Sequence, residues 1–254
     1  MKRFIVIMCL LISCCSLFAA EKQSPMTMYK DNYIIGSQDD LKFLVSVKYN
    51  LFYPFNSGIY AAYSETAWWD IYKESSPFRE FNHNPEVFWR VDEGNNLFGD
   101  SLLSYVDYIQ IAPYEHKSNG RDGEVSRGLD RYYAQIQGSI GDVINAGFNL
   151  KIWNYYHLAE ENKDLKTYNG YGEGELFVKI KSGTVQYLDK EKLYIKGGIG
   201  TDPEKYWYEV GLMVRIITTH IQPRFYIQYY NGYGEELVNY NKKDQQVRAG
   251  FIFD

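Results

Sequence analysis

Alternation of apolar and polar residues with period two runs through most of the chain. From Leu41 to Leu51 the odd positions are Leu, Phe, Val, Val, Tyr and Leu, while the even ones include Lys42, Ser46, Lys48 and Asn50. From Lys205 to Ile216 the apolar parity is even: Tyr206, Tyr208, Val210, Leu212, Val214 and Ile216. Such alternation predicts strands with one apolar and one polar face. Eleven strands are expected, near 41–51, 57–69, 86–92, 102–117, 127–140, 145–156, 172–181, 185–196, 205–217, 220–230 and 245–253. A weaker one over 32–36 would make twelve. No linker or composition break divides them, so one domain is expected.

Composition narrows the class. The chain has 254 residues and a net charge of −5, and its mean hydropathy is −0.41. The negative charge argues against a nucleic-acid partner held by a basic surface. After the N-terminal segment no run reaches the ~18 apolar residues of a membrane helix. A membrane β-barrel survives this test, because alternation averages to a hydrophilic score. The start of the chain reads as an export signal: Lys2 and Arg3, then the apolar run Phe4 to Ile12, then Ala19 and Ala20. Leu11-Ile12-Ser13-Cys14 also resembles a lipoprotein cleavage box. Cleavage near Ala20 would remove all three cysteines and leave residues 21–254 as the mature domain. About 19–20 residues per strand and connection suit a small outer-membrane barrel. Aromatic pairs near strand ends, Trp68-Trp69, Tyr155-Tyr156 and Tyr229-Tyr230, suit interfacial girdles. The expected fold class is therefore all-β, a transmembrane antiparallel β-barrel of about 12 strands. A soluble sandwich would leave the girdles unexplained.

Chemistry concentrates in one hairpin. Of the four histidines, His83, His157 and His220 read as ordinary polar or interfacial side chains. His116 stands two residues before Ser118, so on a strand the two project from one face. A base beside a hydroxyl is the minimum for an activated nucleophile. If the hairpin turns symmetrically about Gly123, residue 130 opposes residue 116, and Asp130 faces His116. Ser118, His116 and Asp130 then have the roles of a catalytic triad. Parity gives the face. In 127–140 the odd side carries Arg127, Arg131, Gln135, Gln137 and Ser139, and the even side Tyr132, Ala134, Ile136 and Ile140. Asp130 is even, so the triad points at lipid and not into the lumen.

The run His116-Lys117-Ser118-Asn119-Gly120-Arg121, with Ser126-Arg127 and Asp130, resembles the signature of the outer-membrane phospholipase A family. Ala67-Trp68-Trp69, Glu74-Ser75-Ser76-Pro77-Phe78-Arg79-Glu80 and Tyr230-Asn231-Gly232-Tyr233-Gly234-Glu235-Glu236-Leu237 are also similar to that family. The resemblance implies a twelve-stranded barrel of the Gram-negative outer membrane that hydrolyses acyl esters of glycerophospholipids and lysophospholipids. It implies activation by Ca2+ and by homodimerisation. It assigns Ser118 as nucleophile, His116 as base, Asp130 as its orienter and Gly120 as the oxyanion-hole N–H donor. Arg121, through its carbonyl, and Ser126 match calcium ligands, and Ser75 matches the ligand from the partner subunit. Two departures stand out. Asp130 replaces the Asn of the best-known members, which implies a steeper loss of activity on acidification. Glu65 replaces a buried interface glutamine, which implies a weaker dimer if the carboxylate has no partner. The alternatives are an inactive small porin or structural barrel, and a barrel hydrolase acting on lipopolysaccharide acyl chains.

Overall fold

A computed structural model describes residues 24–53, 55, 58–92, 105–180, 191–215 and 223–253. The expected export signal and the three cysteines lie outside the described residues, as do His220 and parts of the expected strands near 57, 102–104, 181, 185–190, 216–217 and 220–222. The strands are β1 (Met26–Met28), β2 (Asn32–Gly36), β3 (Leu41–Asn50), β4 (Ile59–Trp69), β5 (Phe78–Asp92), β6 (Val106–Ser118) and β7 (Gly128–Ile140). They continue as β8 (Ile144–Leu158), β9 (Gly172–Ile180), β10 (Lys192–Ile199), β11 (Tyr206–Val214), β12 (Arg224–Gly232) and β13 (Asp244–Phe253). Among the described residues one α-helix, α1 (Leu165–Asn169), sits in the β8–β9 loop. From β2 onward each strand pairs antiparallel with the next, and β13 returns to β2. β1 and β2 both pair with the same edge of β3, at Val47–Tyr49 and Leu41–Leu44 respectively. They are one barrel strand interrupted at 29–31, so the wall is a closed antiparallel barrel of twelve strands, as the residue pattern predicts.

Closure leaves no free edge, which a membrane wall requires because lipid offers backbone groups no partner. Ile111, Ile140, Ile144, Leu150, Ile152, Leu176, Leu193, Ile195, Val247 and Phe251 are all exposed, on the outer face. Such a belt in water would be an aggregation site, whereas against acyl chains it is the stabilising surface. Exposed tyrosines flank it: Tyr49 and Tyr105 at one end, Tyr156, Tyr171 and Tyr206 at the other. The expected girdle pairs divide between the faces. Trp68 and Tyr230 turn inward and are buried, because adjacent strand positions point to opposite sides.

The lumen is filled by paired charges. Glu115 lies 2.6 Å from Arg131 and 3.2 Å from Lys151, and Lys30 lies 3.1 Å from Glu86. Tyr29, from the interruption in the first strand, stacks on Phe88 with ring centroids 4.9 Å apart. A cavity of about 580 Å³ remains among these side chains. The strand expected at 86–92 begins eight residues earlier, at Phe78. Its first half carries Arg79, Glu80, Asn82, His83 and Asn84, polar on both faces, so alternation fails there for the reason described below.

Candidate active site

The β4–β5, β6–β7, β8–β9 and β12–β13 connections share one end of the barrel, and the β6–β7 hairpin ends there. A short 3-10 turn, Gly123–Val125, closes it, with Ser126 N–H donating to Gly123 O at 2.9 Å. Asn119 holds the loop from inside. Its N–H donates to Arg127 O at 3.1 Å, and its Oδ1 accepts from Arg127 N–H at 2.9 Å. The register that results pairs His116 with Asp130 and Ser118 with Gly128. Gly128 keeps the position beside Ser118 without a side chain; a Cβ there would stand in van der Waals contact with Ser118 Cβ and Ala159 Cβ, 3.9 Å from each.

On the outer face, His116 Nδ1 lies 2.8 Å from Asp130 Oδ1. Tyr114 Oη donates to the same oxygen at 2.9 Å. His157, across from Asp130 on β8, brings its Nδ1 to 3.8 Å from Oδ2. A carboxylate at Nδ1 fixes a proton there and leaves Nε2 as the basic edge. Ser118 lies two residues along the strand on the same face. The structure gives no hydrogen bond between its hydroxyl and His116; in resting hydrolases that contact often tightens only when substrate arrives. Gly120 follows with φ +62, a left-handed conformation that glycine adopts without strain.

The residues matching calcium ligands occupy two loops. Arg121 is exposed and Ser126 half-buried, both in the β6–β7 hairpin. Ser75 is exposed in the β4–β5 loop, where Ser75 and Ser76 have φ of 61° and 41°. Two consecutive non-glycine residues in that region are unusual, and the Ser76 hydroxyl, donating to Ile71 O at 3.0 Å, helps hold them. The loops are tied by Arg121, whose guanidinium donates to Arg79 O. Behind them stands a charge network: Arg79 pairs with Asp70, Asp40 and Glu236, and Arg248 with Asp40 and Glu235. Burial alone would raise the Asp40 carboxyl, but the hydrogen bonds and charge of Arg248, with Arg79, bring it down to about 2. Burial also opposes ionisation of Glu235, and Lys42 and Arg248 bring it down to about 2.

Two side chains at this site were read from sequence as ordinary polar residues. His157 flanks Asp130. His83 is the register partner of Ser118 and contacts Glu65 and Tyr63. Glu65 therefore has partners within its own chain, so the condition attached to a weaker dimer, a carboxylate with no partner, is not met. The sequence signal was the polar outward position 83 between outward Phe81 and Pro85. Its significance depended on a β5–β6 register that a bulge between Val87 and Trp89 hides.

Comparison with known proteins agrees with this architecture. Residues 8–253 match the family model described as phospholipase A1. Phospholipase A1 of Salmonella typhimurium is 30% identical over 222 residues, covering 85% of this chain and 70% of the relative. Phospholipase A1 of Escherichia coli K12 is 28% identical over 261 residues, covering 92% and 84%. Among solved structures, outer membrane phospholipase A from Escherichia coli superposes with a TM-score of 0.73 at 24% identity, covering 94% of this chain and 95% of that one. The Salmonella typhi outer membrane phospholipase dimer with bound calcium gives 0.71 at 25% identity, covering 92% and 94%. A match over nearly the whole chain, on a closed twelve-strand wall, shows that this chain belongs to the phospholipase A1 family of outer-membrane β-barrels.

Proposed function

We propose that the protein, a phospholipase by family, hydrolyses acyl esters of glycerophospholipids and lysophospholipids through Ser118, with dependence on calcium and on homodimerisation. The observation that carries this reading is the His116–Asp130 pair, 2.8 Å apart, beside Ser118 on the lipid-facing side of the wall. A hydrolase that exposes its nucleophile to acyl chains has membrane lipid as its nearest substrate. His116 Nε2 takes the Ser118 proton as Oγ attacks the ester carbonyl carbon. Asp130 holds the ring and stabilises its positive charge, and the Gly120 N–H meets the developing oxyanion. The proton then passes to the leaving alkoxide. Water repeats the sequence on the acyl-enzyme.

The Arg121 carbonyl, the Ser126 hydroxyl and Ser75 of a second copy would hold calcium. All three are oxygen donors at the exposed end of the barrel, the chemistry that this cation prefers. Bound there, it would supply positive charge to stabilise the negative charge that develops during acyl transfer. Residues 1–20 act in this reading as the export signal and 21–254 as the working domain.

The test is fatty-acid release by detergent-refolded protein with calcium or chelator, repeated with Ser118→Ala, alongside chemical cross-linking. Release that needs calcium and Ser118, with a calcium-promoted dimer, is expected. Release by Ser118→Ala would overturn the mechanism, and no release by the wild type would favour a passive barrel.

A further inference from the structure

Ser118 has a second imidazole–carboxylate pair on its other flank. Across the outer face, Glu65 on β4 is the register partner of His83 on β5, and His83 is the partner of Ser118 on β6. Register partners share a face with Cβ atoms about 5 Å apart. Glu65, His83 and Ser118 therefore form a row at right angles to the strands.

The hydrogen bonds fix how the ring is protonated. His83 Nδ1 lies 2.8 Å from Tyr63 Oη and 3.1 Å from Glu65 Oε2. Tyr63 Oη donates to Glu65 Oε2 at 2.7 Å. The Tyr63 proton goes to the carboxylate, so the two contacts of Nδ1 need a proton on Nδ1. The Nε2 lone pair is left as the basic edge. The ring plane is set by Phe81, with ring centroids 6.3 Å apart and planes 4° apart. Its Nε2 edge turns to the nucleophile's loop, 3.0 Å from where a Cβ on Gly120 would stand. His83 thus repeats the arrangement of His116: carboxylate at Nδ1, free Nε2 beside the Ser118 segment. Three polar side chains on a lipid-facing wall are costly to keep and are usually retained for function.

We propose that His83 is an auxiliary general base for acyl transfer at Ser118, oriented by Glu65 and Tyr63; this rests on Ser118 being the nucleophile. As Oγ bonds to the ester carbonyl carbon, the hydroxyl proton passes to His83 Nε2. The carbon–oxygen bond to glycerol breaks, and the proton is delivered to the departing alkoxide. In the second half a water oxygen bonds to the acyl carbon as its proton passes to the same nitrogen, and when the carbon–Oγ bond breaks that proton goes to Ser118 Oγ, releasing the fatty acid and restoring the enzyme. His116 dominates in the intact protein, and His83 sustains turnover when His116 is removed.

Fatty-acid release is measured with calcium for wild type, Ser118→Ala, His116→Ala, and His116→Ala combined with His83→Phe, His83→Gln or Glu65→Gln. Heat-modifiable gel migration confirms that each barrel is folded. His83→Gln keeps a polar side chain of similar size without a basic nitrogen, should His83→Phe fail to fold. His116→Ala is expected to retain roughly 10- to 100-fold more activity than Ser118→Ala, at or below the low end of the ~10²- to 10⁴-fold that a fully positioned base supplies, because His83 is auxiliary. Either His83 change should bring it down to the Ser118→Ala level, and Glu65→Gln should lower it several-fold. The proposal is overturned if His116→Ala is as inactive as Ser118→Ala, or if its residual activity survives both His83 substitutions. An active wild type with an inactive His116→Ala removes this inference alone. An inactive wild type removes the proposed function with it.

Discussion

Replacing Asp130 by Asn removes one charge and leaves an oxygen of nearly the same shape. In the structure, Asp130 Oδ1 accepts from both His116 Nδ1, at 2.8 Å, and Tyr114 Oη, at 2.9 Å. Two donors on one oxygen dictate the amide orientation: the Asn carbonyl stays with His116 and Tyr114, and the NH2 takes the Oδ2 position near His157. A neutral acceptor there contributes about 0.5–1.5 kcal/mol, against about 1.5–3 for a charged partner. The difference, about 1–1.5 kcal/mol, applies when His116 becomes cationic in the transition state. At about 1.4 kcal/mol per tenfold, kcat should fall roughly 5- to 15-fold with KM little changed. Where nothing orients the amide, the same change in a serine protease costs about 10⁴-fold because the wrong tautomer is imposed. Fatty-acid release over a range of lipid mole fractions in mixed micelles separates kcat from KM. A loss beyond about 10³-fold, or none, would refute the argument. Adding Tyr114→Phe should deepen the loss, since it removes one of the two donors that hold the amide.

Gly120→Ala should reduce activity about 100-fold, because φ +62 is strained for alanine and the new Cβ would stand 3.0 Å from His83 Nε2, displacing the N–H donor. Unaltered kcat would exclude that donor. Glu115→Gln leaves Arg131 and Lys151 facing each other in the lumen. The expected cost is about 3 kcal/mol, the low end for a broken buried pair because the cavity admits water, read as a lower urea midpoint. Acid should weaken the charge network behind the β4–β5 and β6–β7 loops. Asp40 and Glu235 have folded values of about 2, below their unfolded values near 4. Their stabilisation is complete above about pH 4 and is lost as pH falls toward 2. Because both lean on Arg248, the joint loss should be about 2–4 kcal/mol rather than the full sum. A urea midpoint constant between pH 4 and 2 would contradict it.

How much was legible follows from where the strands keep their parity. In β6 the inward residues are Asp107, then Tyr108, Gln110 and Ala112, then Glu115 and Lys117, so parity breaks twice. The two breaks coincide with irregularities between Val106 and Tyr108 and between Ala112 and Glu115. They cancel, and an odd–even argument across the whole strand reaches the right face for His116 and Ser118. The hairpin register was also readable, because only the local turn around Gly123 sets it. The first half of β5 was not. Its inward residues, Glu80, Asn82 and Asn84, are buried polar groups of the lumen, and outward His83 is the register partner of Ser118. With polar residues on both sides there is no alternation to detect. The row Glu65–His83–Ser118 spans three strands from two different hairpins, a relation no local pattern contains.

The outward placement of His116, Ser118 and Asp130 has a kinetic meaning. On the function proposed above, the lipid-facing wall itself is the docking surface. Encounter is then a two-dimensional event, governed by lateral diffusion within one leaflet and by the surface fraction of susceptible lipid. Dilution with inert amphiphile should slow turnover at constant bulk substrate. With Ser118 as the proposed nucleophile, lipid always lies beside it, so restraint would come from completion of the site rather than from exclusion of substrate, and the β4–β5 and β6–β7 loops carry the residues proposed for that completion.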